Sequence, residues 1–261
     1  MGKASPYCKV TCLDYGEEQG LTNLFYADKP SEPFVFPIPG FYIETASGTK
    51  ILFDTGCSPD FKQTWGLLNE FLPYVRPSFM VDQLKKVGVT PQDIDYVIMS
   101  HLHYDHAGGL ASFRGAKAKI VVQKAEAHVA MSAVYTNRSD IAYAGYLGTD
   151  FQFSDLNWLV IDGDYDLLPG VHLLFLPGHA PGEMGARIET KKSGDLIIAS
   201  DAVYSAENYG PPAKLPGAAI NLDDYVKSVE KIRRIADLFD ARVIFGHDLA
   251  QKMAIFPEWW D

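Results

Sequence analysis

Cysteine is scarce in this chain: Cys8, Cys12 and Cys57 are the whole supply among 261 residues. So small and odd a number indicates no disulfide framework, and it makes a reducing, cytoplasmic compartment the expectation. Cys8 and Cys12 are neither spaced nor partnered like zinc thiolates and read as small apolar side chains or surface thiols. Basic runs are absent as well. Lys and Arg number 23 against 33 Asp and Glu, for a net charge of −10, so the positive footprint of a nucleic-acid binder is missing. This speaks against a nuclease and, more weakly, against a polyanionic substrate. No apolar stretch approaches the ~20 residues of a membrane span. Met1-Gly2-Lys3-Ala4-Ser5-Pro6 precedes no apolar signal core, and Pro6 stands where a myristoylation motif needs Ser or Thr. No secretory signal and no membrane partner are expected. Low-complexity tracts and linker-like stretches are missing too, so residues 1–261 read as one domain. An apolar fraction of 47% and a charged fraction of 21% are those of an ordinary globular chain, long enough to bury its own core.

Histidine is also rare, with seven in all, yet three of them fall in Ser100-His101-Leu102-His103-Tyr104-Asp105-His106, which Ala107-Gly108-Gly109 follows. Neutral imidazole is the commonest protein ligand for a transition metal, and carboxylate oxygen is a common companion. His101 and His103 lie two apart and would project to the same side at a strand end. Asp105 and His106 are adjacent and begin a new direction, which suits a second ion nearby. The competing reading is a polar loop that happens to be rich in histidine. It loses ground to the pattern downstream.

Taken in order, residues 34–40 read as an extended run broken by prolines, and 41–45 resume it. A strand at 50–53 ends at Asp54-Thr55-Gly56; Asp54 is either delivered to a site or satisfies its own turn. Residues 58–80 are apolar and irregular, a lid or pocket wall, or else a helix and loop packed on the core. Val81, Leu84 and Val87 form a helical stripe stopping at Gly88, and Thr90 caps a short turn that begins with Pro91. A buried-type strand at 96–99 empties into His101. Residues 119–122 read as a strand and 124–134 as a helix, on which His128 is a solvated or packed residue. Residues 135–158 are aromatic without a period, a long excursion passing over the site. Strands follow at 171–176, with His172 in the strand body, and at 195–200. A helix over 222–239 has Asn221 as N-cap and Tyr225, Val229, Ile232 and Ala236 on its apolar face. A last strand covers 242–245.

Four strands end in a metal-capable residue: 97–99 at His101, 173–176 at His179, 196–199 at Asp201 and 243–245 at His247. Strands in layered α/β proteins present their C-terminal ends to a common edge, where ligands bind. Five histidines and two aspartates suffice for two ions with three protein ligands each, provided that one carboxylate bridges. That leaves each ion the open position catalysis needs.

These residues resemble the metallo-β-lactamase superfamily, and within it the N-acyl-homoserine lactonases. The likeness rests on Phe53-Asp54-Thr55-Gly56, the 100–109 motif, Pro177-Gly178-His179-Ala180-Pro181-Gly182, Asp201-Ala202-Val203-Tyr204, Phe245-Gly246-His247-Asp248 and the ending Ile255-Phe256-Pro257-Glu258. The resemblance implies an αββα sandwich with a dinuclear site between two mixed sheets. It implies that His101, His103 and His179 hold one metal, that Asp105, His106 and His247 hold the other, and that Asp201 bridges them. It further implies that Tyr204 binds the substrate carbonyl and that Asp105 passes the proton. Two departures bear on substrate. Position 104, Phe or Tyr in the family, is the polar Tyr104, and the second histidine that often follows Pro-Gly-His by four is here Glu183. Both become candidate substrate-binding residues.

The expected function is therefore metal-dependent hydrolysis of a lactone, with an N-acyl-homoserine lactone as the small-molecule substrate. Two divalent ions, zinc first and iron, manganese or cobalt as alternatives, would lower the pKa of a shared water to about 7. Other readings on the same ligand set are a pyridoxic-acid-type lactonase, a glyoxalase-type thioesterase and a β-lactamase. An iron oxidoreductase of the same fold is disfavoured by His103, and a non-catalytic scaffold by the intact ligand set. The oligomeric state is left open, with a homodimer among the options.

Overall fold

The computed structural model describes residues 6–137, 143–255 and 259–261. Its strands are β1 (Cys8–Leu21), β2 (Pro33–Thr45), β3 (Lys50–Phe53), β4 (Tyr74–Pro77), β5 (Tyr96–Ile98), β6 (Lys119–Gln123), β7 (Asn157–Ile161), β8 (Tyr165–Leu168), β9 (Val171–Phe175), β10 (Met184–Ile188), β11 (Leu196–Ile198), β12 (Arg242–Ile244) and β13 (Trp259–Trp260). They make two sheets. The larger runs β13-β1-β2-β3-β5-β6-β7, with β4 pairing to β1 off this path, and the smaller runs β12-β11-β10-β9-β8. Both are mixed. β3, β5, β6 and β7 are parallel, whereas β1, β2 and β3 are antiparallel. In the smaller sheet only β11 and β12 are parallel.

The strands carry apolar side chains on both faces, as sheets covered on both sides require. In β3, Ile51 and Phe53 enter the core between the sheets with Val10, Ile43, Ile98, Met184 and Ile198. Leu52 points the other way, into the layer with Leu84, Phe113 and Ala130. In β11, Leu196 and Ile198 face the central core while Ile197 packs outward with Tyr225, Val229, Ile232 and Ala236 of the helix Leu222–Phe239. The period of two assigns each strand to two cores at once. The result is the αββα sandwich anticipated from the motifs.

Several local expectations hold. The helix Leu222–Phe239 has the expected bounds, and the Asn221 side chain accepts from Asp224 N–H. Thr90 and Asp93 form a reciprocal capping box around a 3₁₀ turn. His128 is exposed on its helix, and His172 bonds Glu189 from the body of β9. All three cysteines are buried, and none forms a disulfide among the described residues.

Other details differ. Prolines do not interrupt the second strand: β2 runs through Pro33, Pro37 and Pro39. All three are odd-numbered, so their missing N–H groups lie along one edge. β3 covers β2 only at Phe41, Tyr42, Ile43 and Glu44, and a β-bulge in β1 between Asp14 and Glu17 faces Pro39 and Pro37. In the helix Met80–Lys86 the buried face is Met80, Gln83 and Leu84; Val81 of the expected stripe is exposed. Residues 58–80 contain β4 and two short helices, Phe61–Thr64 and Leu68–Phe71. Strand β10 had no counterpart in the sequence pattern. Its Met-Gly-Ala-Arg-Ile has weak strand propensity, but Gly185 admits the β11 backbone so closely that a Cβ would lie 2.6 Å from the Ile198 carbonyl. Of the expected ending motif, Phe256, Pro257 and Glu258 lie outside the described residues.

Candidate metal centre and cleft

β9 and β11 each run antiparallel to β10, and β12 runs parallel to β11, so His179, Asp201 and His247 leave the smaller sheet at one edge. β5 brings His101 to the same edge from the larger sheet. Asp54 and Ser200, with φ of 58° and 48°, hold left-handed backbone directly beside the cluster, a conformation that costs energy and gathers at functional sites.

The seven side chains named from the sequence are all buried and meet. Nε2 of His179 is 3.2 Å from Nε2 of His101 and 3.0 Å from Nδ1 of His103. Nε2 of His106 is 3.4 Å from Oδ2 of Asp105, and Nε2 of His247 is 3.7 Å from the same oxygen. Asp201 lies between the two groups. Its Oδ2 is 3.3 Å from His179 Nε2 and 3.9 Å from His101 Nε2; its Oδ1 is 3.0 Å from His247 Nε2 and 3.4 Å from His106 Nε2.

This donor set fits metal ions. Bonds of ~2.0–2.1 Å to a tetrahedral ion place nitrogen ligands ~3.3 Å apart, near the separations within His101, His103 and His179. His106 Nε2 and Asp201 Oδ1 are buried with no hydrogen-bond partner among the described residues, a costly state unless another group satisfies them. The three candidate clusters, His101/His103/His179, His101/His106/Asp201 and Asp105/His106/His247, share members as a dinuclear site would.

Surrounding groups fix the rings. Asp54 receives Ser100 N–H and Ser100 Oγ–H at 2.8 and 2.7 Å, and its Oδ2 lies 2.9 Å from His106 Nδ1. The strand-end aspartate thus braces the His106 ring. His247 Nδ1 meets the Pro37 carbonyl at 2.8 Å, and His179 Nδ1 the Ala218 carbonyl at 3.0 Å. With Nδ1 turned to an acceptor, each Nε2 presents its lone pair to the centre.

Burial holds His101 and His179 below the usual imidazole range and pushes His103 down to about 3, which keeps this trio neutral. For His106 and His247 burial is opposed and outweighed by the nearby carboxylates, Asp105 and Asp201 above all, which raise both. The same imidazoles overcome burial at Asp201 and hold it well below the carboxylate range.

A cleft of about 710 Å³ opens over the centre. His103, Asp105, His179, Asp201 and His247 form its floor, Phe25, Trp65, Leu68 and Leu72 one wall, and Tyr143, Gly145, Tyr146 and Leu147 another. Both aromatic segments singled out in the sequence therefore wall the cleft. Tyr204 also lines it, with its hydroxyl donating to the Ala218 carbonyl at 2.9 Å and lying 2.6 Å from His179 Nδ1.

The two departures from the motif separate here. Tyr104 reaches the cleft with its ring, set edge-on to Trp65 at 4.5 Å, but its hydroxyl is spent on Glu18 at 2.8 Å. Glu183 does not line the cleft. It is fully buried, with Oε2 3.3 Å from His101 Nδ1, so it faces a ligand's back instead of a substrate. Among the buried acids that the sequence pattern did not mark are Glu18 and Glu126. Glu18 accepts from Tyr104 and, at 3.2 Å, from Cys57 Sγ, and Glu126 accepts from Leu102 and Gly182 N–H. Neither sits in a motif, and their partners are remote in sequence.

A buried His/Asp cage at the shared edge of an αββα sandwich, roofed by an apolar cleft, is the architecture of a metallohydrolase. Residues 35–247 match the metallo-beta-lactamase superfamily. The chain is 34% identical over 239 residues to an N-acyl homoserine lactonase of a Bacillus species, spanning 88% of this chain and 89% of that one. It is 32% identical over 263 residues to the N-acyl homoserine lactonase AiiB of Agrobacterium fabrum, spanning 93% and 94%. A solved N-acyl homoserine lactone hydrolase, with the product N-hexanoyl-L-homoserine bound at its catalytic metal center, superposes with a TM-score of 0.82 at 30% identity over 96% of this chain and 98% of that one. The chain belongs to the metallo-beta-lactamase superfamily and, within it, to the family of these lactonases.

Proposed function

We propose that this chain is a metal-dependent hydrolase that opens the ring of N-acyl homoserine lactones. The observation that carries the reading is Asp201, whose two carboxylate oxygens address separate histidine groups at the floor of an apolar cleft. His101, His103 and His179 would hold one divalent ion and Asp105, His106 and His247 the other, with Asp201 offering one oxygen to each group. Zinc is the metal proposed, because all ligands are imidazole or carboxylate in a closely packed cage. Bound there, the two ions supply Lewis acidity and water that ionises near neutral pH.

The protein's own groups do the rest. The apolar walls take the acyl chain and place the lactone ring over the floor. The Tyr204 hydroxyl exchanges the Ala218 carbonyl for the substrate carbonyl and donates to the oxygen on which charge develops. Hydroxide adds to the acyl carbon, the ring C–O bond breaks, and the alcohol oxygen takes a proton that Asp105 passes on. The product is a hydroxy acid, which ionises and releases one proton. No helix among the described residues is long and apolar enough to cross a membrane, and a small, odd number of cysteines supports a cytoplasmic location.

The test is a pH-indicator assay over acyl homoserine lactones of several chain lengths, simple γ- and δ-lactones, a thioester and a cephalosporin. Acid release from the acyl homoserine lactones is expected; release only from the thioester or the cephalosporin overturns the reading.

A further inference from the structure

We infer that Glu126 is the positioning residue for the first ion's ligand trio: its carboxylate ties the turn carrying His101 and His103 to the turn carrying His179. Glu126 is the third residue of the helix Lys124–Tyr135. A glutamate at that position ordinarily reaches back to the N–H at its own helix start. Here it reaches outward instead. Oε1 accepts Leu102 N–H at 2.9 Å and Oε2 accepts Gly182 N–H at 3.1 Å. Leu102 stands between two ligands, and Gly182 closes the turn that begins with Pro177, Gly178 and His179.

Glu126 is fully buried, and among the described residues no ion pair with Lys or Arg is formed by it. Burying a carboxylate costs several kcal/mol unless its oxygens are satisfied. The two N–H donors and the positive end of its helix do so, and both donors belong to ligand-bearing turns. A backbone bond from Met184 N–H to the Ser100 carbonyl at 2.9 Å joins the strands behind these turns, while Glu126 joins the turns themselves. Gly182 is part of the device: a Cβ there would lie 2.3 Å from the Glu126 backbone nitrogen, so only glycine lets the turn seat on the helix. The nitrogens of the trio stand 3.0 and 3.2 Å apart, a spacing that a shift of either turn would spoil.

The inference rests on the dinuclear reading of the site but not on the substrate, because its test reads metal. Glu126→Gln keeps the volume and turns an acceptor into an NH₂ that faces an N–H; Gly182→Ala leaves the carboxylate intact and lifts the turn off it. Each purified variant is titrated with cobalt(II) from the metal-free state, following the absorption spectrum and confirming the fold by circular dichroism. The native protein is expected to take up two ions. Both variants should keep one site at native affinity and weaken the other on the order of 10–100-fold, the usual effect of losing a group that orients a ligand. Native uptake of both ions by both variants overturns the inference, as does equal weakening of both sites, which would mark a general structural role. A native protein that binds two ions and opens no lactone overturns the substrate reading alone.

Discussion

The Tyr104 hydroxyl donates to the Glu18 carboxylate across 2.8 Å, joining the metal motif to a strand 86 residues earlier in the chain. Glu18 is fully buried, and its other oxygen receives the Cys57 thiol at 3.2 Å. Burial and the nearby Asp105 charge push its carboxyl well above the usual range, against the pull of these two donors. The tyrosine at this position of the motif is therefore matched to a buried acid behind the cleft.

Tyr104→Phe should keep the ring against Trp65 but strand one Glu18 oxygen, at a cost of about 1–3 kcal/mol. Glu18→Leu added to Tyr104→Phe should recover most of that loss, because removing both partners also removes the unsatisfied group. Urea unfolding of the two single variants and the double variant checks this. Additive losses would mean that the pair is not coupled.

Asp201→Asn presents one oxygen and one NH₂ where two oxygens now address two groups. The purified variant should carry at most one ion per chain by elemental analysis, with lactone hydrolysis lost. Retention of both ions would remove Asp201 as the bridge.

Tyr204→Phe should lower kcat/KM by on the order of 2.7–4 kcal/mol of transition-state stabilisation, the range seen on deleting an oxyanion donor. Metal content should not change, since the tyrosine hydroxyl meets the Ala218 carbonyl and the back of His179 but none of the nitrogens and oxygens that face the centre. Unchanged turnover would reduce Tyr204 to a wall of the cleft.

Asp14 and Glu17 on β1 form an acid-sensitive clasp with Arg76 and Lys252. Burial acts against both acids, but Arg76 and Lys252 outweigh it and lower both pKa values. The stability they contribute is present above the unfolded values of about 4 and lost as pH falls through the lower folded values. Arg76→Ala should lower the unfolding midpoint at pH 6 and leave it nearer to native at pH 3, measured on metal-free protein so that ligand protonation does not release ions. An equal loss at both pH values would show that the clasp is not electrostatic.

Much of the centre could be read in one dimension because its chemistry is local. His101, His103, Asp105 and His106 occupy one turn, and the other ligands follow short apolar strands that announce their own ends. The helix Leu222–Phe239 was equally plain, since an amphipathic period and an N-cap are properties of neighbouring residues. β2 and β10 were harder. Prolines in β2 and small residues in β10 argue against strands locally, and only pairing and close backbone approach in the sheets overrule them.

The sequence by itself determined the histidines and aspartates of the candidate metal centre, their order along the chain and the layered fold that assembles them. The tertiary structure alone decided how they are held. Glu126 meets Leu102 and Gly182 across 24 and 56 residues, Asp54 meets His106 across 52, and Glu18 meets Tyr104 across 86. A buried acid has no period and no motif. What makes it neighbour one loop and not another is the packing of two sheets, which places distant backbone N–H and imidazole groups within hydrogen-bond reach.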